Sequence, residues 1–152
     1  MKIVLQRVKK SSVLIDGSEK REIKNGLTLL IGISETDTEV EVLYLVKKCL
    51  DLRIFSDEND KLNLSVQDIS GEILAISNFT LYADCKKGKR PSFIKAGKPD
   101  MSKKLYDLFV SELLNSNLVV KTGEFGADME VEIINDGPIT IVLDTEEMMK
   151  KG

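Results

Sequence analysis

A chain of 152 residues with 22 basic and 25 acidic side chains, net charge −3, suits one domain and argues against a protein coated in positive charge for indiscriminate duplex binding. Histidine is absent, which removes every Ser-His, Cys-His and His-metal arrangement that the chain could build by itself. Cys49 and Cys85 are too few for a disulfide framework and have no metal-binding or redox spacing, so both read as free thiols.

The start, Met1-Lys2-Ile3-Val4-Leu5-Gln6-Arg7, lacks the apolar stretch of a secretory signal, and no run approaches the length of a membrane span. A soluble cytoplasmic protein is therefore expected. Residues 2–8 and 12–16 are rich in Val, Ile and Leu and read as strands, with Asp16-Gly17 turning the chain after the second. Residues 26–33 are almost continuously apolar, the pattern of an interior strand covered on both faces. Thr36 and Glu39 have the spacing of a capping box, and Val42, Leu45, Val46 and Cys49 recur on one face of the helix that follows. Cys49 is thereby assigned to the core. Residues 52–55 resemble a short strand, and Asp57-Glu58-Asn59-Asp60 a solvated turn without the glycine or downstream glutamate of a calcium loop.

Residues 72–77 form a strand that runs into Asn78-Phe79-Thr80-Leu81-Tyr82. A helix is predicted over 102–115, with Leu105, Leu108, Phe109 and Leu113 inside. Strands over 118–121, 129–134 and 139–143 complete a single domain, residues 1–145, followed by a charged, Met-containing tail, residues 146–152. Strands outnumber helices, so the expected class is α/β with two sheet layers and helices packed outside, a closed or partly closed barrel being the alternative.

Four segments carry chemical potential. Ser77, Thr80 and Tyr82 place hydroxyls at a strand end beside the amide of Asn78. They suit a plain polar strand end, or a break that turns the backbone amides of Phe79 and Thr80 toward a cavity. Thr80 has no histidine to activate it, which favours an orienting hydroxyl or a backbone donor to developing negative charge over a nucleophile. Lys86 to Phe93, extended by Lys95 and Lys98, is either a solvated loop or a phosphate or RNA contact, with Phe93 covering an apolar wall or a base. Phe125-Gly126-Ala127-Asp128-Met129 combines small residues that permit close approach with two apolar ones that edge a pocket or fill the core. Asp128 has no acidic partner at motif spacing, against a paired-carboxylate hydrolase. In Asn135-Asp136-Gly137-Pro138-Ile139-Thr140 the proline cannot donate to a ladder and the glycine reaches angles closed to other residues; the step is a turn or a placed piece of backbone.

Ser77-Asn78-Phe79-Thr80-Leu81-Tyr82-Ala83-Asp84 and Asn135-Asp136-Gly137-Pro138-Ile139-Thr140 closely resemble motifs of the D-aminoacyl-tRNA deacylase family. Gln6-Arg7-Val8, Leu52-Arg53-Ile54-Phe55, Asn63-Leu64-Ser65-Val66, Arg90-Pro91-Ser92-Phe93 and Phe125-Gly126-Ala127-Asp128-Met129 extend the resemblance through about Asp144. One position departs: the family usually has glutamine where this chain has Asn78, an amide one methylene shorter. The resemblance implies a three-layer α/β/β fold, a homodimer with active sites at the subunit interface, and no cofactor or metal. It implies hydrolysis of the ester joining a D-amino acid to the terminal adenosine of tRNA, with glycyl-tRNA as a secondary substrate. It further implies catalysis by the amides of Phe79 and Thr80 with help from the ribose 2′-hydroxyl, on a pocket floor that includes Ser77 and Asn78. Phe125, Gly126, Ala127 and Met129 correspond to part of an adenosine site, and Phe93 to pocket closure. Gly137 and Pro138 correspond to a cis dipeptide that reaches into the other subunit's site and selects chirality, braced by Arg7. A non-catalytic RNA or adenine-nucleotide binding module is the alternative from another class.

Overall fold

The computed structural model describes residues 1–150, so the end of the charged tail, residues 151–152, lies outside the described residues. The chain runs β1 (Lys2–Ile15), β2 (Glu19–Ile23), β3 (Gly26–Gly32), α1 (Glu39–Asp51), β4 (Phe55–Ser56), β5 (Leu62–Leu64) and β6 (Glu72–Ser77). A 3-10 turn (Phe79–Tyr82), α2 (Pro99–Leu114), β7 (Val120–Thr122), β8 (Met129–Asp144) and α3 (Thr145–Met148) follow.

The long strand β1 organises the sheet. One of its edges pairs antiparallel with β8, while the other pairs with β3 over Lys2–Val8 and with β2 over Ser11–Ile15. Parallel pairing then adds β6 to β3 and β7 to β6, giving a mixed sheet. Alternation along β6 reveals how this sheet doubles over. Ile73 and Ala75 pack with Val42, Leu45, Val46, Cys49, Tyr106, Phe109 and Leu113 of α1 and α2. Leu74 and Ile76 instead meet Val13 and Ile15 of β1 and Ile23 of β2, with Met129 and Ile133 of β8 packed alongside. Successive side chains of a strand point to opposite faces, so β6 is covered by helices on one side and by a second strand layer on the other. The result is the expected α/β class in three layers, α/β/β. Each large side chain fully buried between these layers contributes roughly 1.5–3 kcal/mol relative to exposure.

The helices show where local pattern and tertiary structure compete. The cap of α1 is Thr38 with Glu41, two residues beyond the Thr36-Glu39 pair that the sequence suggested. Glu41 accepts the Thr38 amide at 2.8 Å, and the Thr38 hydroxyl accepts the amide of Val40 at 3.3 Å. Asp37 is drawn inward first: its carboxylate accepts the buried Met1 amino group and the Ser34 amide, both at 2.7 Å. That commitment delays the helix. Burial acts to raise the Glu41 pKa, but its hydrogen bonds with Thr38 outweigh this and hold it below the ordinary glutamate value. Thr145, buried at the start of α3, closes the same corner by accepting the Met1 amino group at 2.7 Å.

The second helix begins at Pro99, earlier than predicted, because proline suits the first helical turn. Tyr106 joins its buried face, while Leu105 and Leu108 are half-buried. Cys49 is fully buried as expected, and burial pushes its thiol up to about 12. Two expected strands shrink or shift: β4 is only Phe55–Ser56, and β7 covers Val120–Thr122. The largest correction concerns residues 129–143, which form one strand rather than two joined by a turn.

Candidate functional site

Strand β6 ends because the chain changes direction at Asn78. The Asn78 amide still donates to Ile31 O at 2.7 Å, after which Leu81 N donates to Asn78 O at 3.3 Å and closes the first bond of the 3-10 turn. The amides of Phe79 and Thr80 precede that bond, so the turn itself offers them no acceptor. Gly32 makes this packing possible: a Cβ there would stand 2.8 Å from Leu81 Cβ. Close approach of the turn to β3 thus depends on a missing methyl group.

The turn borders a cavity of about 1080 Å³, large enough for a nucleoside carrying an acyl group. Ser77, Asn78, Phe79 and Thr80 line one wall, and Phe125, Gly126, Ala127 and Met129 line another. Phe93 and residues 96–99 form the third side, while Leu30, Ile76 and Ile133 supply apolar lining. Phe93 meets Phe79 edge-on, with ring centroids 5.1 Å apart. The Thr80 hydroxyl donates to Asn78 Oδ1, which fixes both side chains at the cavity edge. Lys98 and Asp128 are the ionisable residues in the lining, so there is no carboxylate pair.

Two residues outside the predicted set hold the far wall. Arg21 on β2 donates from Nη1 to Thr122 O at 2.9 Å, Thr122 Oγ1 at 3.1 Å and Gly123 O at 3.3 Å. Tyr106 donates to Ala75 O at 2.7 Å and packs against Phe125 at 6.2 Å. Burial raises the Tyr106 phenol above its ordinary range, keeping it neutral. Neither role had a local signal; both depend on contacts made far along the chain.

Arg7, Gly137 and Pro138 lie elsewhere. Within one chain none of the three lines the cavity. Arg7 and Asp136 border a separate hollow of about 700 Å³ together with Phe55, Asp60 and Glu72. Arg7 Nε donates to Asp136 O and Nη1 to Ile54 O, each at 2.9 Å, and the Asp136 carboxylate stands 3.6 Å from Nε. The Gly137-Pro138 peptide is cis, and Gly137 has φ +138°, where an added Cβ would lie 3.0 Å from Ile139 N. The segment does not reverse the chain. The register of β1 against β8 shifts between Gln6 and Val8 and again between Val8 and Lys10, and the Asn135 side chain supplies the missing bonds. Its Nδ2 donates to Gln6 Oε1, Ile139 O and Thr140 Oγ1 at 3.0–3.1 Å, and its Oδ1 accepts Ile139 N at 2.8 Å. A side-chain amide thereby replaces ladder bonds around a residue that has no N–H. Gly137 and Pro138 remain exposed.

Three layers with a roomy cavity at the end of a middle-layer strand, edged by amides that precede a 3-10 turn, make an α/β/β protein with a preformed pocket. A family model described as D-Tyr-tRNA(Tyr) deacylase matches residues 4–144, and the chain belongs to that family. The D-aminoacyl-tRNA deacylase of Thermosipho africanus (strain TCF52B) is 49% identical over 97% of this chain and 99% of its own length. The D-aminoacyl-tRNA deacylase of Picosynechococcus sp. (strain ATCC 27264 / PCC 7002 / PR-6) is 54% identical over 96% and 97%. Among solved structures, one titled "c-Myc DNA Unwinding Element Binding Protein" superposes with TM-score 0.88 at 42% identity, covering 95% of this chain and 98% of that one. Another, titled as a probable eukaryotic D-amino acid tRNA deacylase, gives TM-score 0.81 at 18% identity over 93% and 97%, a likeness of fold alone. Family membership supports deacylase activity and interaction with tRNA in general terms.

Proposed function

We propose that the chain is an esterase that hydrolyses the bond between a D-amino acid and the 3′-terminal adenosine of tRNA, with glycyl-tRNA as a second substrate. The observation that carries this reading is the cavity shared by the Ser77–Thr80 wall and the Phe125–Met129 wall. The terminal adenosine packs against Phe125, Gly126, Ala127 and Met129, and Phe93 covers the entrance. The ester carbonyl lies over the amides of Phe79 and Thr80, which stabilise the oxyanion as water adds to the carbonyl carbon. The ester C–O bond then breaks and the ribose oxygen leaves with a proton, the neighbouring 2′-hydroxyl assisting the attack. The Thr80 hydroxyl already donates to Asn78, which suits orientation of the pocket rather than nucleophilic attack. No metal or cofactor enters this scheme.

The chiral filter is the Gly137-Pro138 element of a second copy of the chain. Three observations support a homodimer with shared sites: the element is exposed, it lies outside its own chain's cavity, and among the described residues β8 pairs only with β1 while exposing Ile134. Arg7 braces the element from within its own chain. An L side chain collides with this backbone, whereas a D side chain projects away from it. The cytoplasm is the proposed location; no described helix is long and apolar enough to cross a membrane.

A deacylation time course with matched D- and L-aminoacyl-tRNAs and glycyl-tRNA tests both chemistry and selectivity. The D-ester and the glycyl ester are expected to be cleaved and the L-ester spared; equal hydrolysis of the D and L esters sinks the chiral filter. A non-catalytic RNA or adenine-nucleotide binding module is the second reading, favoured by the likeness to the c-Myc DNA Unwinding Element Binding Protein. Tight tRNA binding without cleavage of any ester would establish it instead.

A further inference from the structure

The segment between Asp84 and Lys98 gathers six cations, Lys86, Lys87, Lys89, Arg90, Lys95 and Lys98. Lys47 and Lys103 on the helices contact Asp51 and Asp107 one turn away, and Lys20 and Arg21 contact nearby glutamates. Lys86, Lys87, Lys89, Arg90, Lys95 and Lys98 have no carboxylate partner within salt-bridge distance among the described residues. An acidic chain therefore leaves its densest basic segment unneutralised.

The backbone of that segment is anchored. Asp84 and Ser92 exchange hydrogen bonds at 2.7 and 2.9 Å, closing the basic hairpin. Lys95 O accepts Glu35 N at 3.0 Å, and Gly97 N donates to Ile33 O at 2.8 Å, tying the returning arm to the end of β3. This arm separates two concavities: Phe93, Ala96 and Gly97 line the large cavity, whereas Lys95 lines a smaller hollow of about 370 Å³ with Lys2, Tyr82 and Lys86. Asp84 also borders the hollow, but its Oδ1 accepts the Lys86 amide at 3.0 Å and so serves the loop backbone. Lys2 is set over the Tyr82 ring, with Nζ 4.8 Å from its centroid.

We propose that Lys2, Lys86 and Lys95 form a contact site for backbone phosphates of the RNA whose 3′ end enters the neighbouring cavity. The identity of the polyanion rests on the deacylase reading above. Lysine ammonium groups bind phosphates as point charges, and three lysines around one hollow supply sequence-independent affinity beside a cavity that reads only the terminus. Such a site positions the acceptor end while leaving the amino acid to the cavity walls. It also allows one enzyme to accept tRNAs of different sequence.

The test is filter binding of uncharged tRNA to the full chain between 50 and 200 mM KCl, which requires no catalysis. For the double variant Lys86→Gln/Lys95→Gln, affinity should fall about tenfold. The slope of log K against log salt should become shallower by about 1.4–1.8, the loss of two phosphate contacts. Lys86→Arg/Lys95→Arg should restore both, and the control Lys47→Gln/Lys103→Gln should change neither. An unchanged slope in the glutamine variant, an equal loss in the helix control, or salt-independent binding by the parent chain overturns the proposal. Failure of ester hydrolysis alongside the expected slope change rejects the deacylase reading and leaves the phosphate site standing; normal hydrolysis with an unchanged slope does the reverse.

Discussion

The cavity and the Gly137-Pro138 element are built in opposite ways. The cavity is assembled from β6, the 3-10 turn, the 92–99 loop and the start of β8, and its walls face one another within one chain. The Gly-Pro element is fixed just as firmly, by Arg7 and Asn135, yet it presents its backbone outward. One region is complete as a container, and the other is complete only as a projection. Rigidity without an internal target is what a protein needs when a piece of backbone must measure something held by another molecule.

This contrast can be broken most forcefully at the cavity. Ala127→Trp should fill the space between the walls and lower deacylation about 100-fold or more, with the folded state retained by circular dichroism. Unaltered turnover would move the chemistry elsewhere. At the projecting region, Arg7→Ala leaves the carbonyls of Asp136 and Ile54 without their donor and should cost about 1–3 kcal/mol in denaturant unfolding. It should also narrow the ratio of D to L hydrolysis, and Arg7→Lys should rescue little because lysine lacks the planar fork. Unchanged discrimination argues against a bracing role.

Thr80→Ala separates backbone from side chain within the cavity wall. Turnover is expected to stay within about tenfold of the parent, whereas a loss of 100-fold or more, as for removal of an oxyanion donor, assigns the hydroxyl to catalysis. The smallest effects belong to the cap of α1, remote from both regions. Thr38→Ala should cost about 1 kcal/mol of stability and leave the D-to-L ratio untouched. Because hydrogen bonding lowers the Glu41 pKa in the folded chain, its contribution is present above the unfolded value and fades as pH falls through the folded one. Glu41→Gln should therefore lower stability at neutral pH by the Glu41 contribution and match the parent in acid, which flattens the profile between the two.

Local pattern revealed much of the molecule. The apolar run of β3, the alternation around β6 and the buried stripe of α1 follow from periodicity because each serves an interior with one or two covered faces. The clustering of Ser77–Thr80 with Phe125–Met129 was suggested by ordered motifs, whereas the residues alone left the first as a polar strand end or a break and the second as a pocket edge or core packing. What escaped the sequence depends on distant partners. The residues around Gly137-Pro138 leave both a turn and a placed piece of backbone open, because nothing nearby announces that Asn135 reaches Gln6, 129 residues away. The cap falls at Thr38 rather than the expected Thr36 because Asp37 is held inward by Met1 and Ser34. Arg21 donates to two carbonyls and one hydroxyl of residues 122–123, a role that no local pattern around it announces.

The unbroken course of β8 makes that strand a ruler. Met129 at the cavity wall and Gly137 on the projecting element are eight residues apart on one strand, a span of at most about 27 Å at the usual rise per residue. Their spacing is thus written in residue count rather than in the angle of a hinge. Deleting one residue between them shortens the ruler by about 3.4 Å and swaps inward for outward side chains beyond the cut. Substitutions along this stretch are tolerable wherever packing allows, but a change in its length is not.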